Sequence, residues 1–459
     1  MKKFLNRVKR ALSILYKILP FFIGMYRYYP AFLKAGTLYP FLDALYASIK
    51  LYSGSTEAIV PMDASMQLAR FLAMAATLSV LVSALNRMND VINWLKRLQP
   101  NVPGATVVCG DSPCAGQVYS SLPARIRLRT EDGFLPGAAR YVLMFSGDER
   151  NLDYYSRHYE DLKDKNVYIM LEDISRQSIE NPRVSVFSIA ENCARQYWRD
   201  YPPARSERVA LVGFDSVGQN LLLTALQMNI LDPRQHFAYH VYGDGTAFRR
   251  LHTRLEEMAP DEVVFHDGGV EDYARLADFD RIIICGGEGG RGAAAASRIL
   301  TAAPVRCPVY LYAPNGDIIT SLFGGERLIC FGDTGETASA DIIFNESSMA
   351  AARRQHEFYY RTYGGTPWEK LDAFKRYSNV SSSDYLQVIR RLMEQGVPMD
   401  TLAELEHIRW CRYHYLHNWS YAPETDAARR VHNCLVPFGE LSEAEQRKDV
   451  EAIRSKLEE

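Results

Sequence analysis

The stretch that decides the fold is residues 206–230, SERVALVGFDSVGQNLLLTALQMNI. An apolar run ends at Gly213, a short turn contains Asp215, and Gly218 stands in an apolar segment that follows. A glycine after the strand permits a tight turn, and a glycine in the helix allows close packing on the strand. The backbone amides at the start of such a helix attract an anion. We therefore predict a strand, a candidate ligand-binding turn and a helix.

The second strand of this unit, FAYHVYGDG at 237–245, ends with Asp244. An acidic residue at that strand end commonly binds a ribose hydroxyl, so the predicted cofactor site is Gly213, Asp215, Gly218 and Asp244. Asp215, however, replaces the glycine that lets a pyrophosphate approach the backbone, and its carboxylate repels phosphate. Three interpretations stay open: a dinucleotide; a mononucleotide, nucleoside or cation; and an empty structural unit. The expected cofactor is NAD(H) or another adenine nucleotide.

The region upstream repeats the pattern. Residues 104–122, GATVVCGDSPCAGQVYSSL, predict another strand, turn and helix, and apolar strands follow at 141–149, 166–173 and 183–189. Strands that alternate with helices predict an α/β fold whose sheets are mostly parallel and doubly wound.

Two other glycine turns are weaker candidate phosphate sites. In the first, Ser112 stands between Gly110 and Gly116, and the spacing is one residue too long for GxGxxG, which favours a structural turn. In the second, RIIICGGEGGRGAAAASRIL at 281–300, exposed amides and Arg291 form either a phosphate cradle or a linker. No GK[ST] follows, so this loop is not a P-loop.

The residues VALVGFDSVGQNLL, the paired order of strands and helices and the apolar segments before them resemble the regulator-of-conductance family (RCK, TrkA-N type) in tandem. The resemblance covers about residues 104–345, divided into a first Rossmann-like unit at 101–205 and a second at 206–345. It implies that ligand binding moves these units and pulls on membrane helices. It also implies a homo-oligomeric ring.

Two candidate membrane spans precede these units, at 11–29 and 64–85, although Lys17, Pro20 and Arg27 interrupt the first. Basic residues precede the first span and follow the second. By the positive-inside rule this places both termini in the cytoplasm, with the spans in a cell inner membrane. The alternative is an amphipathic region that lies on the bilayer or packs as a helical cap.

Between the spans of this N-terminal membrane segment (1–100), residues 40–51 are predicted as an amphipathic helix, and SGSTE follows at 53–57. Two spans with a short helix between them resemble the pore-forming part of two-span cation channels. SGSTE departs from the TVGYG filter of potassium channels, so the resemblance implies a wide, non-selective or vestigial pore. A re-entrant or interfacial helix without conduction is the alternative.

Residues 346–459 are charged, aromatic and helical in pattern. Their second half resembles the RyR domain, a module repeated in ryanodine receptors and also found in bacteria and phages. The resemblance rests on Glu406, His407, Arg409, Trp410, Trp419, Tyr421, His432, Leu435, Val436, Pro437, Leu441, Lys448 and Asp449. It implies a ligand-recognition module of nucleotide-signalling and antiviral systems.

The predicted ligand-binding residues of this domain are Glu406, His407, Arg409, Trp410, Trp419, Tyr421 and His432. Helical spacing puts several of them on one face, where a tryptophan could stack a base and a carboxylate or imidazole could bond its edge. The alternative is that the tryptophans belong to the core and the polar groups have local partners.

Composition excludes several classes. The chain has 459 residues, is 47% hydrophobic and carries a net charge of −2, so nucleic acid is not an expected partner. Its eight cysteines form no CxxC pair, and no spacing of histidines and cysteines predicts a metal site. We also find no nucleophile–base motif near the glycine turns, so we do not expect an enzyme.

The order of segments predicts a channel-like membrane effector or ion-transport regulator. Its partners are a lipid bilayer, a nucleotide-derived small molecule and further copies of the chain, and antiviral defence is the expected setting. Two alternatives stay open: a non-conducting membrane-attached nucleotide sensor, and an NAD(P)-dependent oxidoreductase.

Overall fold

The computed structural model describes residues 2–97, 105–124, 126–174, 179–181, 183–234, 236–270, 272–286, 291–302, 304–314, 327–344 and 346–458. The chain divides into two compact units, Met1–Pro100 and Asn101–Glu459. Part of the candidate phosphate cradle, residues 287–290, lies outside the described residues.

The first unit consists of three helices, α1 (Lys2–Lys34), α2 (Pro40–Lys50) and α3 (Ala64–Arg97), with a 3-10 turn at Leu51–Ser53. Small side chains allow the helices to approach closely: a Cβ on Gly24 would lie 2.8 Å from the hydroxyl oxygen of Ser48. The fully buried core residues are Tyr28, Ala44, Ala47, Leu51, Met66, Ala69 and Ala73. Interfaces rich in small residues are typical of helices that associate in membranes.

The structure supports one of the two predicted membrane spans. By length and composition, one described helix can cross a membrane, namely α3 through Ala64–Leu81. Helix α1 contains residues 11–29, and Lys17 and Arg27 lower the mean hydropathy of that segment. In Ala64–Leu81, 22% of the residues are buried, so most of this segment is exposed in the isolated chain. The expectation that both termini are cytoplasmic rests on two crossings and stays a prediction.

The second unit contains two parallel sheets, so the prediction of an α/β fold with mostly parallel strands is confirmed. The strands of sheet A are β1 (Thr106–Cys109), β2 (Arg127–Thr130), β3 (Arg140–Leu143), β4 (Asn166–Met170) and β5 (Val184–Phe187). They lie in the order β2-β1-β3-β4-β5. The helices of this region are α4 (Ala115–Ser121), α5 (Asp148–Arg157), α6 (Tyr159–Leu162) and α7 (Ile189–Asp200).

Sheet B is formed by β6 (Arg208–Val212), β7 (Ala238–Tyr242), β8 (Glu262–His266), β9 (Arg281–Ile284), β10 (Val309–Tyr312) and β11 (Leu328–Phe331). The strands lie in the order β11-β10-β9-β6-β7-β8. Counted from the first strand, this is the 3-2-1-4-5-6 order of dinucleotide-binding sheets. The order reverses between β6 and β9, and ligands of such sheets bind at this switch point. Between the strands run α8 (Ser216–Met228), α9 (Thr246–Leu251) and α10 (Arg291–Ala302).

The C-terminal part is helical. Its helices are α11 (Thr334–Thr337), α12 (Ala340–Phe344), α13 (Glu346–Tyr363), α14 (Ala373–Glu394), α15 (Met399–Leu416) and α16 (Glu443–Glu458). Two short strands follow α15 in the sequence and pair with each other: β12 (Ser420–Tyr421) and β13 (Val431–His432). Helices α14 and α15 share one apolar core with α8 and sheet B, to which Leu221, Tyr239, Tyr385 and Leu405 belong.

Candidate functional site

Close backbone contacts shape the switch point between β6 and β9. Gly213 has a φ of +88°, and a Cβ there would lie 2.5 Å from the backbone nitrogen of Gly286. A Cβ on Gly218 would lie 2.8 Å from the carbonyl oxygen of Gly213. Both positions therefore need glycine because α8 and the loop after β9 approach the turn so closely.

Asp215 occupies the N-terminus of α8. Its Oδ1 accepts hydrogen bonds from the backbone N–H groups of Val217 (3.2 Å) and Gly218 (3.3 Å). At a phosphate-binding helix these amides face the ligand, whereas here a carboxylate uses them. The contacts agree with the expectation that Asp215 occupies the space of a pyrophosphate.

Asp244 follows β7 and is exposed. Its carboxylate accepts a hydrogen bond of 2.9 Å from the backbone N–H of Thr246, and hydrogen bonding from the side chain and then the backbone of Thr246 lowers the pKa of the Asp244 carboxyl. Together with Asp215, it gives this edge of sheet B two carboxylates. Such a pair suits hydroxyl groups or cations better than it suits phosphate.

Helix α15 carries four of the residues predicted to bind a ligand. Ten of its 18 residues are buried, and they include Arg409, Arg412, His407 and His414. A buried charge is strongly unfavourable without a partner, so the charged residues of a helix covered on several sides must be paired within the protein.

Glu406 and Arg409 are partners of each other. The guanidinium of Arg409 is 1% exposed and donates to both carboxylate oxygens of Glu406, at 2.7 and 3.0 Å. Arg409 also donates to the hydroxyl of Ser381 at 3.0 Å, and Ser382 donates to Glu406. Both serines belong to α14, so this cluster joins α15 to α14.

His407 lies against the C-terminal helix. Its Nε2 is 2.9 Å from the carbonyl oxygen of Val436, and its Nδ1 is 3.5 Å from a carboxylate oxygen of Asp449 on α16. Burial lowers the pKa of His407, but Asp449, Cys411 and the Val436 carbonyl outweigh it and raise the pKa to about 10. His407 is therefore a cation at neutral pH and pairs with Asp449.

Trp410 lies among histidines. Its ring centroid is 5.7 Å from that of His407, 4.0 Å from that of His414 and 5.0 Å from that of His432. Burial lowers the pKa of His414 to about 3, so this histidine is neutral. The chain's own imidazoles thus contact the ring that was expected to stack a base.

Trp419 and Tyr421 have opposite environments. Trp419 is 8% exposed and stacks on Phe374 with ring centroids 5.1 Å apart. Tyr421 is 55% exposed and pairs with His432 in the register of β12 and β13. Among the predicted residues, Tyr421 is therefore the large ring most open to a ligand.

The segment that contains α15, the two short strands and α16 matches a known domain family. Residues 389–458 match the RyR domain family. This segment is a RyR domain. A search of curated proteins found no match to the chain.

In this RyR domain the structure brings His407, Trp410 and His432 together. Glu406 and Arg409 instead join α15 to α14. The four residues of sheet B, Gly213, Asp215, Gly218 and Asp244, belong to the turns after β6 and β7 or to the start of α8. Within the described ranges, no group of three or more His, Cys, Asp or Glu side chains is placed to hold a metal ion.

Sequence reasoning missed Arg412, which joins the RyR domain to sheet B. Arg412 is 3% exposed, and its guanidinium donates to Asp261 at 2.6 Å and to the carbonyl oxygens of Leu226 (3.1 Å) and Met258 (2.9 Å). The signal that could have found it is a second arginine three residues after Arg409. Two arginines on one apolar helix indicate two buried partners rather than a solvated face.

Proposed function

We propose that this chain is a membrane-attached sensor. Its Rossmann-like units and RyR domain recognise a nucleotide-derived ligand, and the response passes to the N-terminal helices. In a homo-oligomer, this response shifts the helices toward a leaky or conducting state. The proposal contains no catalytic step, and antiviral defence is the setting that the RyR resemblance favours.

The observation that carries the membrane part is the exposed apolar surface of α1, α2 and α3. Of the large apolar side chains that are exposed among the described residues, nineteen lie at 15–81 and seven in the rest. Phe22, Phe71 and Leu78 are 61%, 67% and 64% exposed. This concentration of exposed apolar side chains favours an apolar partner, and the length and composition of α3 point to lipid.

One crossing by α3 changes the proposed topology. The basic residues Arg87, Lys96 and Arg97 follow the apolar part of α3. By the positive-inside rule they favour a cytoplasmic second unit. Helices α1 and α2 then lie against α3 and the bilayer interface, which suits their interrupted apolar faces.

The sensor part is supported by sheet B and the RyR domain. The strand order of sheet B creates a switch point, and the RyR domain shares its apolar core with that sheet. A ligand that binds either element therefore acts on a connected body. A coupling free energy of about 1–3 kcal/mol is enough to shift a two-state equilibrium between arrangements.

Alkaline carbonate extraction of membranes tests the attachment. We expect the full chain to stay in the pellet and a chain that begins at Asn101 to be released. Exchange of two exposed residues of α3, Phe71→Lys with Leu78→Lys, should release the full chain because lysines in the bilayer centre are costly. Leu251→Lys, at a position that is 65% exposed in the second unit, is the matched control and should not.

Release of the unmodified full chain by carbonate would refute the membrane proposal. If the chain is retained, flux of a fluorescent ion indicator from liposomes is measured with and without adenine nucleotides. Flux that depends on the nucleotide supports the conducting effector. Retention without flux favours the non-conducting sensor.

A further inference from the structure

A cleft of about 470 Å³ lies where three segments of the second unit meet. Its walls come chiefly from α7, which follows sheet A, from α8 of sheet B, and from α14, which leads into the RyR domain; Asp341 and Ile342 of α12 complete them. None of the residues predicted from the sequence to bind a ligand lines it. A molecule in this cleft would contact all three segments at once.

Arginines dominate the charge of this cleft. Arg195 and Arg199 come from α7 and Arg391 from α14, while Asp341 and Asp384 are the acidic lining residues. Arg195 pairs with Asp384 at 2.6 Å. Arg199 pairs at 3.1 Å with Asp200, its neighbour on α7 outside the lining, which leaves Arg391 as the lining arginine without a carboxylate partner among the described residues.

Arg391 is the cation with the weakest compensation. It donates a long hydrogen bond of 3.4 Å to the carbonyl oxygen of Pro203. Burial lowers the pKa of its guanidinium, which is the shift expected when lost hydration is not replaced by a carboxylate. A guanidinium in this state gains most from a bound phosphate, which it can contact with two parallel hydrogen bonds.

Other parts of the wall suit the organic part of a nucleotide. Trp198, Pro203, Met228 and Val388 provide apolar surface. The Oε1 atom of Gln196, which also lines the cleft, is buried and has no hydrogen-bond partner among the described residues. The amide of Gln196 is held in place by a hydrogen bond of 2.7 Å that its Nε2 donates to Glu336.

We propose that this cleft is an anion-binding site for a phosphate-bearing nucleotide, with Arg391 and Arg195 on the phosphate and the apolar wall against the organic part. The site is separate from the switch point of sheet B, where Asp215 uses the helix amides. The choice of ligand class rests on the proposed function, whereas the cationic cleft itself does not.

The Arg195–Asp384 pair gives the site a means of signalling. It joins α7 to α14 across the cleft. A phosphate competes with Asp384 for Arg195, because both offer oxygens to the same guanidinium. Occupation of the cleft then changes the contact between α7 and the helices of the RyR domain.

Isothermal titration of the full chain in detergent micelles tests the site, with AMP, inorganic pyrophosphate and adenosine as probes. We expect AMP and pyrophosphate to bind and adenosine to bind at least tenfold more weakly. Arg391→Gln should raise the Kd for AMP at least about tenfold, or about 1.4 kcal/mol. Gln387→Glu, an isosteric exchange at another lining residue, should weaken the binding of AMP because it places a negative charge in the wall of the cleft. Arg390→Gln, an exposed neighbour on α14, is the matched control and should bind AMP like the unmodified chain.

The cleft proposal fails if neither AMP nor pyrophosphate binds, or if Arg391→Gln and Gln387→Glu bind AMP as tightly as the Arg390→Gln control. Binding is measured without reference to membranes or flux, so the two proposals fail separately. If AMP binding depends on Arg391 but carbonate releases the full chain from membranes, the cleft proposal is supported and the membrane-sensor proposal is refuted. If the chain is retained in membranes and conducts, but Arg391→Gln binds AMP like the unmodified chain, the membrane-sensor proposal is supported and the cleft proposal is refuted.

Discussion

The first strands of sheets A and B are both followed by a glycine turn with an aspartate, but the two aspartates have different partners. After β1 comes Gly110, with a φ of +124°, followed by Asp111; after β6 comes Gly213, with a φ of +88°, followed two residues later by Asp215. Asp111 pairs on the surface with Arg150 at 2.7 Å, with both side chains more than 40% exposed. Asp215 instead caps its own helix.

The two sheets also differ in what holds them to their surroundings. Sheet B is joined to the RyR domain by the buried pair of Asp261 and Arg412, whose side chains are 2% and 4% exposed. The comparison teaches that the sequence pattern of a strand, a glycine and an aspartate specifies the turn. The role of the aspartate carboxylate depends on the groups that it contacts. Burial of those partners decides how much each charge contributes to stability.

The largest expected effect comes from the buried pair at the border of sheet B and the RyR domain. Arg412→Met leaves Asp261 buried without its cation and should lower the free energy of unfolding by about 3–5 kcal/mol. Denaturant unfolding of the full chain in micelles, followed by tryptophan fluorescence, measures it. Arg429→Met, at an exposed arginine of the same domain, is the control and should change stability by less than about 0.5 kcal/mol. Equal effects of the two exchanges would remove the contrast between buried and surface charge.

The next effect is the pH dependence of the half-buried pair of His407 and Asp449. The pKa of His407 is raised from 6.5 to about 10 in the folded chain. Its stabilisation is therefore complete below pH 6.5 and is lost as the pH rises toward about 10. Asp449→Asn should cost about 1–2 kcal/mol at pH 6, and solvent screening limits this because Asp449 is 34% exposed.

Unfolding of both chains from pH 6 to pH 10 checks this prediction. The difference between the unmodified chain and Asp449→Asn should shrink steadily over that range. A difference that does not vary with pH would mean that Asp449 acts by packing rather than through the charge of His407.

A smaller effect is expected at the turn of sheet B. Asp215→Ala removes the acceptor of two helix amides and should cost about 1 kcal/mol. Asp215→Asn keeps a side-chain oxygen that can accept the same hydrogen bonds, so its cost in the free energy of unfolding should be only about a few tenths of a kcal/mol. Thermal unfolding of both variants measures the ranking, and equal losses would show that the charge of Asp215, rather than its capping bond, stabilises α8.

The smallest effect is expected at the corresponding position of sheet A. Asp111→Ala breaks an exposed ion pair and should change stability by about 0.5 kcal/mol or less at moderate salt. The loss should fall further in 1 M salt because exposed charges are screened. A loss as large as that of Arg412→Met would show that the two sheets are held in the same way.

Much of the architecture was predictable from local pattern. The apolar runs that end at Cys109, Val212 and Ile284 correspond to parallel strands, and both glycine turns that follow β1 and β6 exist. The resemblance of residues 406–449 to a RyR domain is confirmed by the family match. The span at 11–29, which Lys17, Pro20 and Arg27 interrupt, stays a prediction, because Ala64–Leu81 is the one described segment that is long and apolar enough to cross a membrane.

The candidate site was less predictable, and the reason lies in the range of the contacts. Glu406 and Arg409 are three residues apart, yet the serines that complete their cluster belong to another helix. The partner of Arg412 lies 151 residues away along the chain. Periodicity shows which residues share a face, but it cannot show which distant segment covers that face.

The sequence by itself determined the alternation of strands and helices, the glycine turns and an N-terminal apolar segment, because each depends on neighbours within about twenty residues. It also indicated the RyR domain, through residues spread over 406–449. The tertiary structure alone decided that the charged residues of α15 bind the rest of the second unit. It also brought Arg195, Arg199 and Arg391 to one cleft, since their convergence depends on how α7 and α14 pack.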